Sequence, residues 1–142
     1  MTTLHEIYFI KFAPTISIEW MKRFHAHIYF ETKDLELADA LFARARNIDF
    51  FQSVSLHLKP IGPHPLAMIE VHFSEATLTF AIAWLEAQRG VFPTLIHEDT
   101  GDDHRDHTEG IKWLGKKLSL DFTFFELVKL RPEIAIHSKV TT

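Results

Sequence analysis

The sequence predicts an α+β sandwich, a four-stranded antiparallel sheet with two helices on one face, and three observations carry that reading. Apolar residues alternate with period two over Arg23 to Phe30, Val54 to Lys59 and Leu66 to Phe73. They switch to helical spacing over Asp34 to Asn47 and again from Ser74 to Gly90. The resulting order is strand, helix, strand, strand, helix, strand, which is that of a ferredoxin-like sandwich with extensions at both ends of the chain.

Residues 1–22 read as an N-terminal arm, with apolar clusters at Ile7-Tyr8-Phe9-Ile10 and at Ile16, Ile18, Trp20 and Met21, packing on the domain or on a neighbouring subunit. The core of the single domain spans 23–125. In its first strand Phe24, Ala26, Ile28 and Phe30 point one way, and His25, His27 and Tyr29 the other. Leu35, Ala38, Leu41, Phe42 and Ala45 then form the stripe of a helix that covers the apolar side. The second strand turns Val54, Leu56 and Leu58 inward and His57 outward. Pro60-Ile61-Gly62-Pro63-His64-Pro65 is a stiff turn that holds His64 between prolines. The third strand leaves Met68, Glu70 and His72 on the imidazole side. Ser74, with Glu75 and Thr77, reads as the cap of a second helix bearing Leu78, Ala81, Ile82 and Leu85, ended by Gly90. Pro93 to His97 makes the fourth strand. Beyond it, Ile111, Trp113, Leu114 and Gly115 read as a short helix, Leu118 to Phe125 as an apolar run, and 126–142 as a tail able to add an edge strand or an oligomer contact. His137 in that tail carries no expected function.

Composition narrows the function. A formal charge of −4 with both signs interspersed offers no basic stripe for nucleic acid and no polybasic patch for a membrane. No apolar run is long enough to span a bilayer, and the start of the chain lacks the pattern of a signal peptide. Ten histidines stand against no cysteine, so any metal is held by His, Asp and Glu, and a reducing, cytoplasmic setting is expected.

The period-two argument collects His25, His27, Tyr29, His57, Glu70, His72 and His97 on the helix-free face of the sheet. Two imidazoles and a carboxylate on one face of an octahedron are the arrangement used for non-haem Fe(II), with zinc the chemical competitor for the same ligands. His25, His27, His97 and Glu70 are the candidate ligands, and sequence alone does not choose among the four. His25 and His27 lie roughly 6.8 Å apart along a strand, close enough to lean toward one ion. The stretch His97 to His107 packs three imidazoles and five carboxylates into a polar loop around Gly101. Within it Asp106 is a candidate orienter of His107, the expected acid/base, and His64 is a second candidate acid/base. Asp102, Asp103 and His104 read as solvent-facing or capping groups.

Four ordered motifs, Phe24-His25-Ala26-His27-Ile28-Tyr29-Phe30, Gly62-Pro63-His64-Pro65, His97 through Thr100-Gly101-Asp102-Asp103 to Asp106-His107, and Trp113-Leu114-Gly115, resemble those of the small DOPA 4,5-dioxygenase family of bacteria and fungi. The resemblance runs from about Phe24 to Phe125 and departs from the family at Glu98 and His104. It implies a dimeric ferredoxin-like protein that cleaves a catechol with O₂ at Fe(II), in the extradiol manner. His25, His27, His64, His97 and His107 match family histidines, as do Thr100 and Asp106. Tyr29 and Thr100 are the expected substrate contacts. The competing expectation is a dimeric protein that holds zinc or a ligand on the same face without turnover.

Overall fold

The computed structural model describes residues 21–134. Most of the expected N-terminal arm, the end of the tail and His137 therefore lie outside the described residues. The elements are β1 (Arg23–Phe30), α1 (Leu35–Ala45), β2 (Ser53–His57), β3 (Ala67–Ser74), α2 (Leu78–Gln88), β4 (Thr94–Glu98), α3 (Asp103–Asp106), β5 (Lys112–Leu114) and α4 (Thr123–Leu130). Single 3₁₀ turns at Thr32–Asp34 and Glu75–Thr77 lead into α1 and α2.

The sheet has five strands, all pairs antiparallel, in the order β2-β3-β1-β4-β5. The four expected strands take their expected order, with β1 and β3 inside and β4 beside β1. The fifth corrects the sequence reading, in which Trp113 and Leu114 belonged to a helix. Leu95 pairs with Trp113 and Thr94 with Leu114, so the edge of β4 is satisfied by a strand too short to show alternation. A second correction concerns residues 123–130, where the tail read as a possible edge strand begins as the helix α4. A third is local: Ser74 makes no side-chain cap, and the Thr77 hydroxyl donates back to the Ser74 carbonyl at 3.3 Å.

Packing follows the alternation. Ala26, Ile28 and Phe30 of β1 and Ile69, Val71 and Phe73 of β3 are buried against Ala38, Leu41 and Ala45 of α1 and Ala81 and Leu85 of α2. Truncating Ile28 or Leu41 to alanine removes methyls that nothing refills, a loss of about 2–5 kcal/mol. Leu58, expected inward, is 60% exposed because β2 ends at His57. The opposite face carries a smaller apolar cluster, Tyr29, Met68 and Leu95, closed over by Ile61, Leu66, Ile111, Trp113, Leu118 and Leu120. Loops thus roof the β1-β4-β5 end of this face. Histidines occupy the rest.

Candidate metal centre

Register decides which side chains meet. His25 of β1 faces His72 of β3 on one side and His97 of β4 on the other, and His27 faces Glu70 and Leu95. All four expected ligands share the face opposite α1 and α2, as alternation requires. Two loops complete the ring of imidazoles. Gly62 adopts φ +54°, a left-handed backbone that glycine takes without strain, so glycine suits the turn. The turn is closed by His64 N–H donating to the Ile61 carbonyl at 3.0 Å, and it directs His64 over β1, its ring 4.1 Å from that of His27. On the other side α3, capped by the Asp102 carboxylate accepting from Arg105 N–H, delivers His107 with its ring 4.3 Å from that of His97.

Four of these histidines are buried: His27 and His97 at 3%, His107 at 5% and His64 at 7% exposure. Burial, reinforced by the neighbouring imidazoles His64 and His97, holds His27 well below its ordinary pKa. For His64 burial and His107 push the value down to about 3. Burial and His107 do the same for His97, to about 3, with partial relief from the Glu98 carbonyl. His27, His64 and His97 are thus held neutral at physiological pH, the form that offers a lone pair to a metal.

The hydrogen bonds assign where the lone pairs lie. His97 Nδ1–H donates to the Glu98 carbonyl at 2.8 Å, leaving Nε2 bare. His107 Nδ1–H donates to the Asp103 carbonyl at 2.7 Å, and its Nε2 is buried without a partner among the described residues. The Met68 sulfur lies 3.2 Å from His27 Nδ1 and accepts from the tautomer that also leaves Nε2 bare. In that tautomer the bare Nε2 atoms of His27 and His97 stand 2.9 Å apart. Without a cation two lone pairs at that distance repel. Two nitrogens each about 2.1 Å from one ion, at a right angle, would be separated by roughly 3.0 Å. The donor set therefore fits a divalent metal, with each imidazole fixed through its far nitrogen by a carbonyl or thioether. Two metal-capable triads share His27: His25, His27 and His97 on the sheet, and His27, His64 and His107 toward the loops.

Glu70, the remaining expected ligand, is engaged elsewhere. Its oxygens lie 2.9 Å from His57 Nε2 and 2.6 Å from His72 Nε2, with His25 Nδ1 at 3.7 Å. Burial opposes its charge, but the hydrogen bonds from His57 and His72 outweigh this and hold it well below the usual carboxylate range. Glu70, His25 and His72 form a third metal-capable triad. His25 and His72 stack there, with ring centroids 3.8 Å apart and planes within 7°. Alternation had placed His57 and His72 on this face, but not their grip on Glu70.

Three expected roles change in the structure. The Asp106 carboxylate is buried, and its hydrogen bonds go to Thr100 and not to His107: it accepts from Thr100 N–H at 2.8 Å and from the Thr100 hydroxyl at 2.5 Å. Thr100 is thereby engaged in bracing its loop. Asp106 follows a helical turn while His107 turns back to the Asp103 carbonyl, so adjacent side chains diverge. Tyr29 is fully buried, and its hydroxyl lies 2.6 Å from His64 Nδ1. Burial and the Glu70 charge raise the phenol pKa well above its usual range. Tyr29 O–H therefore donates to His64 Nδ1, which leaves His64 with Nε2–H. Asp99 was overlooked: its Oδ2 lies 3.4 Å from His25 Nε2, and it falls on the same face as His97 by the same alternation.

A cavity of about 470 Å³ opens over this face, walled by His25, His27, His64, Glu70, His72 and His107 among others. That volume lies within the range of small-molecule sites. Among the described residues no helix is long and apolar enough to cross a membrane.

The fold and site define an α+β scaffold with a cavity over buried imidazoles that could hold a metal ion. Its relatives specify the class. Residues 24–124 match the Dopa 4,5-dioxygenase family, and the chain belongs to that family. It is 32% identical over 111 residues to a DOPA 4,5-dioxygenase of Amanita muscaria, covering 71% of this chain and 48% of the relative. It is 34% identical over 120 residues to an uncharacterised 21.2 kDa protein of Botryotinia fuckeliana, covering 75% of this chain and 64% of that one. The chain thus spans less than two thirds of either relative. A crystal structure of a dioxygenase candidate from Nostoc punctiforme superposes with a TM-score of 0.64 at 33% identity, covering 76% of this chain and 94% of the other.

Proposed function

We propose that this protein is a non-haem Fe(II) extradiol dioxygenase acting on DOPA or a related catechol, with its metal at His25, His27 and His97. The observation that carries the reading is the pair of Nε2 atoms 2.9 Å apart on His27 and His97, each oriented by a hydrogen bond at its other nitrogen. Bound there, Fe(II) supplies a Lewis acid and redox centre that brings a catecholate and O₂ together. The ring C–C bond beside the diol breaks, both oxygen atoms of O₂ enter the product as part of an aldehyde and a carboxylate, and the catechol supplies the electrons.

The chain's own residues handle protons. His107 Nε2, bare and buried at the cavity wall, accepts a proton from the catechol hydroxyl. His64, held by Tyr29, presents Nε2–H and stabilises negative charge that develops on oxygen. The scaffold itself is a ferredoxin-like sandwich widened by β5. A homodimer is proposed as well, since Leu127 and Leu130 of α4 are 51% and 80% exposed. Light scattering that returns a monomer at micromolar concentration removes the dimer.

The experiment that tests the activity is anaerobic reconstitution with Fe(II), followed by oxygen uptake across a panel of catechols. Stoichiometric iron with catechol-dependent oxygen consumption supports the enzyme. Iron or zinc binding without oxygen consumption by any catechol returns the protein to a metal- or ligand-binding role.

A further inference from the structure

We propose that Arg23 and Asp99, side by side at the edge of the cavity, form a clamp for the zwitterionic head of an aromatic α-amino acid, an inference that rests on the catechol reading of this cavity. Both residues line the cavity. Arg23 opens β1 and Asp99 follows β4, and Asp99 N–H donates to the Arg23 carbonyl at 2.7 Å, so the backbone fixes the two side chains as neighbours. Arg23 Nη2 lies 3.5 Å from Asp99 Oδ2, with side-chain exposures of 66% and 23%. One charge of each sign is thus offered at the rim.

An α-amino acid head presents the complementary pattern, an ammonium and a carboxylate roughly 3 Å apart by standard bond lengths. Turned head to tail against the pair, its carboxylate meets the guanidinium and its ammonium meets Asp99. Among the described residues the charged contacts of Asp99 to Arg23 and to His25 run through Oδ2, which leaves Oδ1 to face an ammonium. The His25 ring stands between this clamp and His97, its centroid 5.2 Å from that of His97. A head group held on Arg23 and Asp99 therefore lies about one aromatic ring from the His27 and His97 edge. A catechol carried on an amino-acid side chain spans that interval. An ion pair left at the surface contributes little stability by itself, which makes a recognition role the more economical account of its place.

The test separates the clamp from the chemistry. Calorimetric titration of the full chain with L-tyrosine, tyramine and 3-(4-hydroxyphenyl)propionate reads head-group recognition without requiring turnover. Tyrosine is expected to bind about tenfold more tightly than either one-charge analogue, the scale of one exposed charge-assisted contact. Arg23→Gln should bring tyrosine to the affinity of tyramine, Arg23→Lys should restore part of the difference, and Asp99→Asn should bring tyrosine to the affinity of the propionate. In oxygen uptake, the ratio of kcat/KM for DOPA over 4-methylcatechol should fall about tenfold in Arg23→Gln, through KM. Equal affinity for the three ligands, no measurable tyrosine binding, or an Arg23→Gln variant with unchanged selectivity overturns the clamp. Selective tyrosine binding in a protein that oxidises no catechol sinks the dioxygenase reading and leaves the clamp standing.

Discussion

The two halves of the histidine-bearing sheet face use the same side chain in opposite ways. Toward β4 and the loops, His27, His64, His97 and His107 are buried, and the partners oriented on them are carbonyls, a thioether and a phenol. Toward β2 and β3, His25, His57 and His72 gather about the Glu70 carboxylate, with Asp99 on the far side of His25. In the first half the Nε2 atoms of His27, His97 and His107 converge, each with its other ring nitrogen engaged, and His64 presents an N–H toward them. In the second, the imidazoles are engaged in stabilising a carboxylate charge. Imidazole alone therefore does not define a metal centre; what each ring's second nitrogen touches decides whether the first is available. His25 belongs to both halves, and the assignment of the metal to His25, His27 and His97 depends on which half holds it.

The largest effect expected from breaking this contrast is at His97. His97→Ala removes one nitrogen of the 2.9 Å pair, so iron content and turnover should collapse together, and excess iron should restore little. Metal analysis beside oxygen uptake checks this; an iron-replete, active variant would remove β4 from the centre. His107→Ala comes next. General acid-base groups contribute about 10²- to 10⁴-fold, so turnover should fall by that factor while iron is retained. Loss of iron would instead move His107 into the ligand set through the triad it forms with His27 and His64.

Acidity sharpens the same contrast in chelator-treated protein. His27, His64 and His97 have folded-state pKa values below the ordinary 6.5, with His64 and His97 near 3. Between those values the unfolded chain binds more protons than the folded one, so stability falls as pH drops from 6.5 and is fully present above it. Each imidazole that stays neutral should cost about 1.4 kcal/mol by pH 5.5. Urea melts of the metal-free protein at pH 7.5 and 5.5 measure the sum. A flat profile would mean that these rings protonate freely in the fold, contrary to their burial. Added metal should shift the loss to lower pH, because it binds only the folded, deprotonated set.

The sheet was legible because period two is a strong signal over eight residues. Arg23–Phe30 and Ala67–Ser74 emerge within a residue of expectation, and their alternation places His25, His27, Glu70 and His72 on the correct face. β5 escaped notice since Lys112–Leu114 is too short to alternate, and its strand character comes from the open edge of β4. α4 was hidden in an apolar run whose helical half begins only at Thr123. For the site, strands revealed which residues share a face, but loops determine who touches whom. Nothing local in the sequence ties Tyr29 to His64 across 35 positions, or turns Asp106 away from the histidine beside it.

Glu70→Gln tests the carboxylate half. An amide offers one acceptor where the carboxylate offers two, so either His57 or His72 loses its partner, at a cost of about 1–2 kcal/mol. Iron content should be unchanged. A variant that folds yet binds no iron would place Glu70 among the ligands and join the two halves into one centre.

The smallest effect is expected at Asp106, and it discriminates between two ways in which a buried carboxylate can serve a neighbouring histidine. Were Asp106 to orient His107 directly, Asp106→Asn would mimic His107→Ala in part and change the pH profile of turnover. In the structure its oxygens accept from the Thr100 backbone and hydroxyl, while His107 is held by the Asp103 carbonyl. Asparagine keeps one acceptor and can still take the Thr100 N–H bond, so the loop between β4 and α3 should loosen without releasing His107. Turnover is then expected to fall only several-fold, since one neutral bond replaces two made to a charged group. The pH profile should hold its shape, and Thr100→Val should reproduce the loss. The two changes should be non-additive in a double-mutant cycle, because both remove the same hydroxyl-to-carboxylate bond. Additive losses, or a shifted pH profile in Asp106→Asn alone, would return Asp106 to direct service of His107.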